Sequence, residues 1–265
     1  MFGRGAELMI DDYIEFTKKV KQKLGIDLQL YKETQMKRRL TTLRNKRGFP
    51  SFIIYFDALC NDEMLLKEFT DRLTINVSEF YRNPRRWDVL KDRILPMLLQ
   101  NNGRLSIWSA ACSTGEEPYS LALMIKEHFP AAAVQILATD IDELVLSKAQ
   151  QGVYTEQALK ELPNPLRKKY FTKTGSLYKI DDALKKDITF KKHNLLADRY
   201  PVHVDLIVCR NVLIYFTDKA KEAIYQNFSN ALKTNGVLFV GSTEQIFNPN
   251  QFALNLADTF FYQKQ

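Results

Sequence analysis

The chain has no long apolar run, no CxxC pair and no histidine cluster, and each gap removes a class of function. No stretch approaches the roughly 18 apolar residues of a membrane span. The opening residues, MFGRGAELMIDDY, carry acids where an export signal has its apolar segment, so a cytoplasmic protein is expected. Cys60, Cys112 and Cys209 lie far apart. That spacing argues against a disulfide framework or structural zinc and fits a reducing compartment. His128, His193 and His203 form no HxxxH or HExxH pattern, so they read as structural or surface histidines and no metal is expected. Internal repeats and low-complexity tracts are absent, and so is the GxGxxG fingerprint of dinucleotide sites.

What is there is an ordinary globular composition over 265 residues, 45% hydrophobic and 26% charged, enough for one large domain or two smaller ones. The formal charge of +7 favours an acidic partner: nucleic acid, an anionic membrane or an acidic protein surface. Residues 8–24 show helical spacing through Tyr13, Phe16, Val20 and Leu24, and Gly25 stops it. Residues 31–47 predict a second helix with Met36, Leu40 and Leu43 as its apolar stripe and Gly48 after it. Two shorter helices are expected over 51–60 and 62–73, so the first 80 or so residues read as an all-helical unit.

A further helix is expected over 87–99, and then the pattern changes. Strands are predicted at 104–110, 133–139, 187–192, 204–210, 236–241 and 258–263, with helices at 116–128, 142–151 and 218–233. Alternation of this kind predicts an α/β fold with a mostly parallel sheet and helices on both faces. The lysine-rich stretch 153–186 reads as helix plus excursion.

The first of these strands ends at Ala110, and Ala111-Cys112-Ser113-Thr114-Gly115 follow before a helix opening at Glu116-Glu117-Pro118. Small residues let a ligand lie against the backbone, and Gly115 can take dihedrals denied to others. Asp140, 25 residues after Gly115, ends the second strand. A carboxylate there is where nucleotide-binding α/β folds grip ribose hydroxyls. Two adjacent glutamates would repel a pyrophosphate but welcome a cation. S-adenosylmethionine carries both an adenosine and two cationic centres. On the loop alone, the alternative remains that Glu116 and Glu117 merely stabilise the first helical turn. Further on, VDLIVCRNVLIYF (204–216) stops its apolar run at Arg210-Asn211. Asn211 and Tyr215 are the polar candidates to face a transferred methyl; alternatively Tyr215 is a core aromatic and Arg210 a surface charge.

Taken in order, TINVSEFYRN (74–83), WSAACSTGEEPYS (108–120), ATDID (138–142), HNLL (193–196), CRNVLIYF (209–216) and GVLFVGSTE (236–244) resemble the chemotaxis receptor glutamate methyltransferases, the CheR family, closest to the Bacillus type. The resemblance runs over nearly the whole chain. It implies a helical N-terminal domain (1–80) that docks receptors, a linker and connecting helix (81–103), and a Rossmann-like S-adenosylmethionine-dependent methyltransferase domain (104–265) with an excursion around 171–190. The implied reaction makes glutamate methyl esters on methyl-accepting chemotaxis receptors and leaves S-adenosylhomocysteine. Carried over by motif, Asn76, Ser78 and Arg82 are implied as linker residues reaching the cofactor. Ser78 stands where the family often has Thr. Glu117 is implied at the methionine end and Asp140 at the ribose. Asn194 and Leu195 are implied at the adenine edge, Asn211 and Val212 on the same wall, and Ala110 and Gly115 along the loop. Arg82 and Tyr215 are the residues implied beside the methyl acceptor. The stretch FTKTGSLYKIDDALKKDITF (171–190) is shorter than in members that grip a receptor's C-terminal pentapeptide, so this chain is expected to be independent of that peptide.

A glutamate acceptor is already ionised near neutral pH, so no general base is required. Residues 32–47 hold seven basic groups and one acid, Glu33. Lys37, Arg38, Arg44 and Arg47 are expected to form a face for the acidic cytoplasmic helices of receptors; the alternative is a solvated face. The protein is expected to act as a monomer at receptor arrays on the inner face of the membrane, without inserting in it and without nucleic acid. Two other readings stay open. One is a nucleic-acid methyltransferase, against which stand the missing NPPY motif and the missing aromatic-interleaved basic patch. The other is a non-catalytic S-adenosylmethionine-binding adaptor.

Overall fold

The computed structural model describes residues 3–73, 78–100 and 103–265, with side chains from Asp12 onward. The chain forms two compact units: Met1–Ile75 with Tyr215–Ala223, and Asn76–Ile214 with Ile224–Gln265. Sequence reading had assigned 215–223 to the larger domain. The structure gathers it with the helices because its backbone pairs there: Lys32 N–H donates to the Tyr215 carbonyl at 2.8 Å and Thr217 N–H to that of Leu30 at 2.9 Å. Between these bonds the Tyr31 and Phe216 rings meet edge-on, centroids 5.0 Å apart.

The first unit contains α1 (Gly3–Leu24), α2 (Glu33–Lys46), α3 (Phe52–Asn61) and α4 (Glu63–Leu73). The expected stripe is the core: Tyr13, Phe16 and Val20 are buried, with Met36, Leu40 and Leu43 from α2. Phe16 is fully enclosed, 5.0 Å from Phe52 and 6.0 Å from Phe69 between ring centroids. A helix leaves its first amides without partners. At α3 these are taken by Ser51, whose hydroxyl accepts from Ile54, and by Asp12 of α1, whose carboxylate accepts from Phe52 and Ile53 at 2.6 and 3.0 Å. One carboxylate thus fixes α3 against α1.

The second unit opens with α5 (Pro84–Val89), a π-helical segment (Leu90–Ile94) and α6 (Leu95–Leu99), where the sequence predicted one helix. Pro96 has no N–H to give, and the helix widens just before it. There follow β1 (Arg104–Ala110), α7 (Glu116–His128), β2 (Ala133–Asp140), α8 (Glu143–Gln151), β3 (Val153–Thr155), α9 (Asn164–Tyr170), β4 (Phe171–Thr174), β5 (Leu177–Ile180), β6 (Ile188–Lys192), β7 (Val204–Cys209), α10 (Asp218–Ala231), β8 (Leu232–Val240), β9 (Leu254–Asp258) and β10 (Phe261–Lys264). Seven strands form one sheet in the order β6-β2-β1-β7-β8-β10-β9. It is parallel from β6 to β8, and β10 and β9 run antiparallel at the far edge. This is the α/β architecture expected, in a mixed form.

Two expectations are corrected. The stretch 153–186 is chiefly a small antiparallel sheet, β3-β5-β4, beside the short α9. The sheet forms because LYKI alternates and buries Tyr178 and Ile180. Strand β9 was missed altogether. In the main sheet the register sets Ala110 opposite Thr139 and Asp140 opposite Lys192, so the carboxyl ends of β1, β2 and β6 line up. Among the described residues no helix is long and apolar enough to cross a membrane.

Candidate active site

The loop after β1 is bent by three positive-φ residues, Ala111 (+61°), Ser113 (+48°) and Gly115 (+93°). Backbone bonds hold the shape: Cys112 N–H donates to the Thr139 carbonyl at 2.8 Å, and Gly115 N–H to that of Cys112 at 3.0 Å. Asp140, buried at the end of β2, accepts from Ser113 N–H at 2.9 Å through one oxygen and from Asp142 N–H at 3.0 Å through the other. The acid therefore shapes the loop as well as facing it. Burial pushes Asp140 up to about 6, against those backbone hydrogen bonds.

Gly115 takes the positive φ expected of it, and a second demand for glycine comes from its neighbours. A Cβ there would lie 2.9 Å from Ala149 Cβ and 3.1 Å from the Tyr154 hydroxyl. The close approach at this glycine is made by the protein's own Ala149 and Tyr154, in addition to the positive φ. Tyr154 clasps the loop, its hydroxyl donating to the Thr114 carbonyl at 2.9 Å.

The two glutamates divide their work. Glu116 is buried and its oxygens accept from the Thr114 hydroxyl at 2.8 and 2.7 Å; the Ser78 hydroxyl bonds the same carboxylate, and burial still raises its pKa. Glu116 thus matches the local, structural reading, and Ser78 is engaged with it. Glu117 points elsewhere. It accepts from the Ser109 hydroxyl at 2.7 Å, and desolvation pushes it up to about 7. The charge of Arg210 is its chief counterweight, Arg82 adds to this, and Glu244 opposes it.

Arg210 is buried, correcting the reading of a surface charge. Its guanidinium lies 4.7 Å from the Phe239 ring centroid and 5.7 Å from that of Trp87, and it donates to the Arg82 carbonyl at 2.8 Å. The Trp87 indole N–H donates to that same carbonyl at 2.9 Å. After β6, Asn194 accepts from Leu196 N–H at 2.9 Å and Leu195 is buried, its carbonyl taken by the Tyr200 hydroxyl at 2.7 Å. After β7, Asn211 adopts φ +61° and lies half-buried with Val212. Among these residues, Glu117 feels the charges of Arg210, Arg82 and Glu244, Ser78 bonds the neighbouring Glu116, Asp140 holds the loop through Ser113, and Asn211 is held by Glu244. Asn76 lies outside the described residues. Sequence reasoning did not single out Glu244 or Ser109.

Tyr215 belongs to the first unit and lines a groove of about 700 Å³ with Arg38, Arg39, Lys46, Arg72 and Thr42. Arg39 places its guanidinium 5.7 Å from the Tyr215 ring centroid and donates to the Leu73 carbonyl at 2.7 Å. The predicted basic face needs one correction. Arg44 is 6% exposed, stacked 4.5 Å from the Phe52 ring centroid and bonded to Asn45, so it is a packing residue. Arg47 is exposed but paired with Glu68 at 2.7 Å, and Lys37 lies over the Tyr13 ring at 5.1 Å. Arg38 is exposed on the groove.

Two family models match the chain one after the other, together over most of its length. "CheR methyltransferase, SAM binding domain" covers residues 76–261 and "CheR methyltransferase, all-alpha domain" covers 11–74. The chain is 47% identical to a chemotaxis protein methyltransferase of Listeria innocua over 96% of its own length and 97% of that protein. It is 34% identical to one from Borreliella burgdorferi, covering 92% of each chain. It is 35% identical to chemotaxis protein methyltransferase 1 of Pseudomonas aeruginosa over 84% of this chain and 86% of that one. With both domain models matched in sequence order and relatives aligned across almost the full length, the chain belongs to the CheR methyltransferase family.

Proposed function

We propose that this enzyme methylates glutamate side chains of methyl-accepting chemotaxis receptors, with S-adenosylmethionine as donor, in the adaptation step of chemotaxis. The observation that carries the reading is the half-buried Glu117 carboxylate, bonded to Ser109 near the end of β1, with the buried Asp140 at the end of the neighbouring β2. A cationic adenosine ligand fits this donor set: one acid for its charged end, another for its hydroxyls. Two buried polar atoms without partners, the Ser113 hydroxyl in this loop and the Arg210 Nε just after β7, further support a polar ligand at the strand ends.

Glu117 and Arg82 hold the methionine end, Asp140 the ribose, and Asn194, Leu195, Asn211 and Val212 the adenine wall, with Asn76, Ser78, Ala110 and Gly115 lining the rest. When bound, S-adenosylmethionine supplies an electrophilic methyl group on a sulfonium leaving group, giving the glutamate methyl ester and S-adenosylhomocysteine. The acceptor carboxylate is ionised at neutral pH, so the protein's work is placement and exclusion of water rather than proton removal. Arg82 orients a carboxylate through its paired N–H groups and Tyr215 through its hydroxyl. The groove lined by Arg38, Arg39, Lys46 and Arg72 suits the acidic surface around receptor glutamates. The enzyme works at the cytoplasmic face, on receptors in their arrays, as a monomer.

Tritiated-methyl S-adenosylmethionine, incubated with the enzyme and receptor-bearing membranes, tests this. Base-labile label on a receptor-sized band is the expected result. Label on nucleic acid, or tight cofactor binding with no transfer, would refute it.

A further inference from the structure

We infer that Glu244 is a positioning residue for the cofactor crevice: its buried carboxylate holds the turn after β7 in the shape that presents Asn211 and Val212. The inference rests on the proposed reading that these two residues line the cofactor's pocket. Glu244 is 4% exposed. Its Oε2 accepts from Asn211 N–H at 2.7 Å and from Gly241 N–H at 2.8 Å. Its Oε1 accepts from Leu213 N–H at 2.6 Å and Ile214 N–H at 3.4 Å. An ionised carboxylate has about four lone-pair sites, and all four point at one short stretch of backbone and its neighbour strand end.

This arrangement answers two local difficulties. Asn211 sits at φ +61°, a conformation uncommon for side-chain-bearing residues though asparagine tolerates it better than most, and its N–H must still find a partner there. The turn's amides cannot pair along the sheet, since β7 has already ended at Cys209, and a buried unpaired N–H is costly. Glu244 supplies both the partner and the constraint. Gly241 makes room for it: a Cβ there would lie 2.4 Å from Glu244 Oε2 and 2.8 Å from Asn211 N.

The substitution Glu244→Gln keeps the volume but leaves one oxygen for two pairs of donors. Its NH₂ then faces N–H groups, and the turn must move. In the full chain, Glu244→Gln is expected to lose hydrogen-exchange protection at the Asn211, Leu213 and Gly241 amides. Calorimetric affinity for S-adenosylhomocysteine is expected to fall on the order of ten-fold or more, alongside a lowered melting temperature from the buried amides left without acceptors. Gly241→Ala displaces the same carboxylate and should reproduce these effects. The double variant should be no worse than the weaker-binding single one, because both act through one group. Wild-type affinity in Glu244→Gln overturns the inference; if that variant does not fold, wild-type affinity in Gly241→Ala overturns it instead. A separate check protects the reading beneath it. S-adenosylhomocysteine added to the unsubstituted protein must shift the Asn211 and Val212 amide resonances. If it does not, the pocket assignment fails, and the exchange data still decide whether Glu244 holds the turn.

Discussion

The Ser109 hydroxyl, on the last turn of β1, donates to Glu117 in the first turn of α7 at 2.7 Å, across a five-residue loop. That single bond ties strand to helix and sets the Glu117 carboxylate among the charges of Arg210, Arg82 and Glu244. Desolvation outweighs the two cations and pushes Glu117 up to about 7.

Affinity for S-adenosylmethionine should rise with pH between about 6 and 8 as Glu117 loses its proton, and the slope should flatten in Glu117→Gln. Stability moves the other way without cofactor. Glu117 is raised from 4.5 to about 7 and Asp140 from 3.8 to about 6. The folded chain keeps these protons after the unfolded chain has released them, so folding weakens as pH rises from about 4 to 7. Binding by calorimetry from about pH 6 to 8, and melting without ligand from about pH 4 to 7, check the two signs.

Tyr215→Phe should lower methyl transfer about ten-fold while leaving S-adenosylhomocysteine affinity unchanged, since a hydrogen bond to the acceptor is lost and none to the cofactor. Turnover equal to the unsubstituted enzyme would reduce Tyr215 to a ring packed near Arg39.

Two arginines of α2 should separate cleanly. Arg44→Ala should cost about 1–2 kcal/mol of folding stability through lost stacking on Phe52 and lost burial of its stem. Arg38→Glu should leave melting unchanged and raise the KM for receptor, with a weaker salt dependence of methylation than the parent enzyme shows. Denaturant titration reads the first and initial rates at low and high salt the second.

Receptors truncated at the C-terminal tail should be methylated as fast as intact ones, because the 171–190 stretch closes into β4 and β5 around a tight turn at Gly175. A rate that collapses on truncation would show that the small sheet grips a tail peptide after all.

Much of this architecture is legible in the sequence because both periodicities are clean. The 3.6-residue stripe through Phe16 and Leu40 and the apolar runs of β1 and β7 are each decided by burial. Legibility fails where burial is partial or the partner is distant. LNLAD and LYKI are short and half-polar, so β9 and β5 look like loop. Arg44 carried a signal that charge counting obscured: it stands four after Leu40 and beside Leu43, on the buried stripe. Glu244 carried none. Its bond to Gly241 is local, but the amides it holds at Asn211, Leu213 and Ile214 lie 30 to 33 residues away, and nothing in the spacing reveals them.

The crowding at Gly115 has a consequence for descent and for engineering. That loop meets Ala149 on α8 and Tyr154 on β3, so three separate stretches of chain share one small volume. A loop transplanted from a relative cannot succeed by itself; its neighbours must be exchanged with it. Recombination breakpoints between residues 115 and 154 should therefore be poorly tolerated in chimeras, and the segment should be inherited whole.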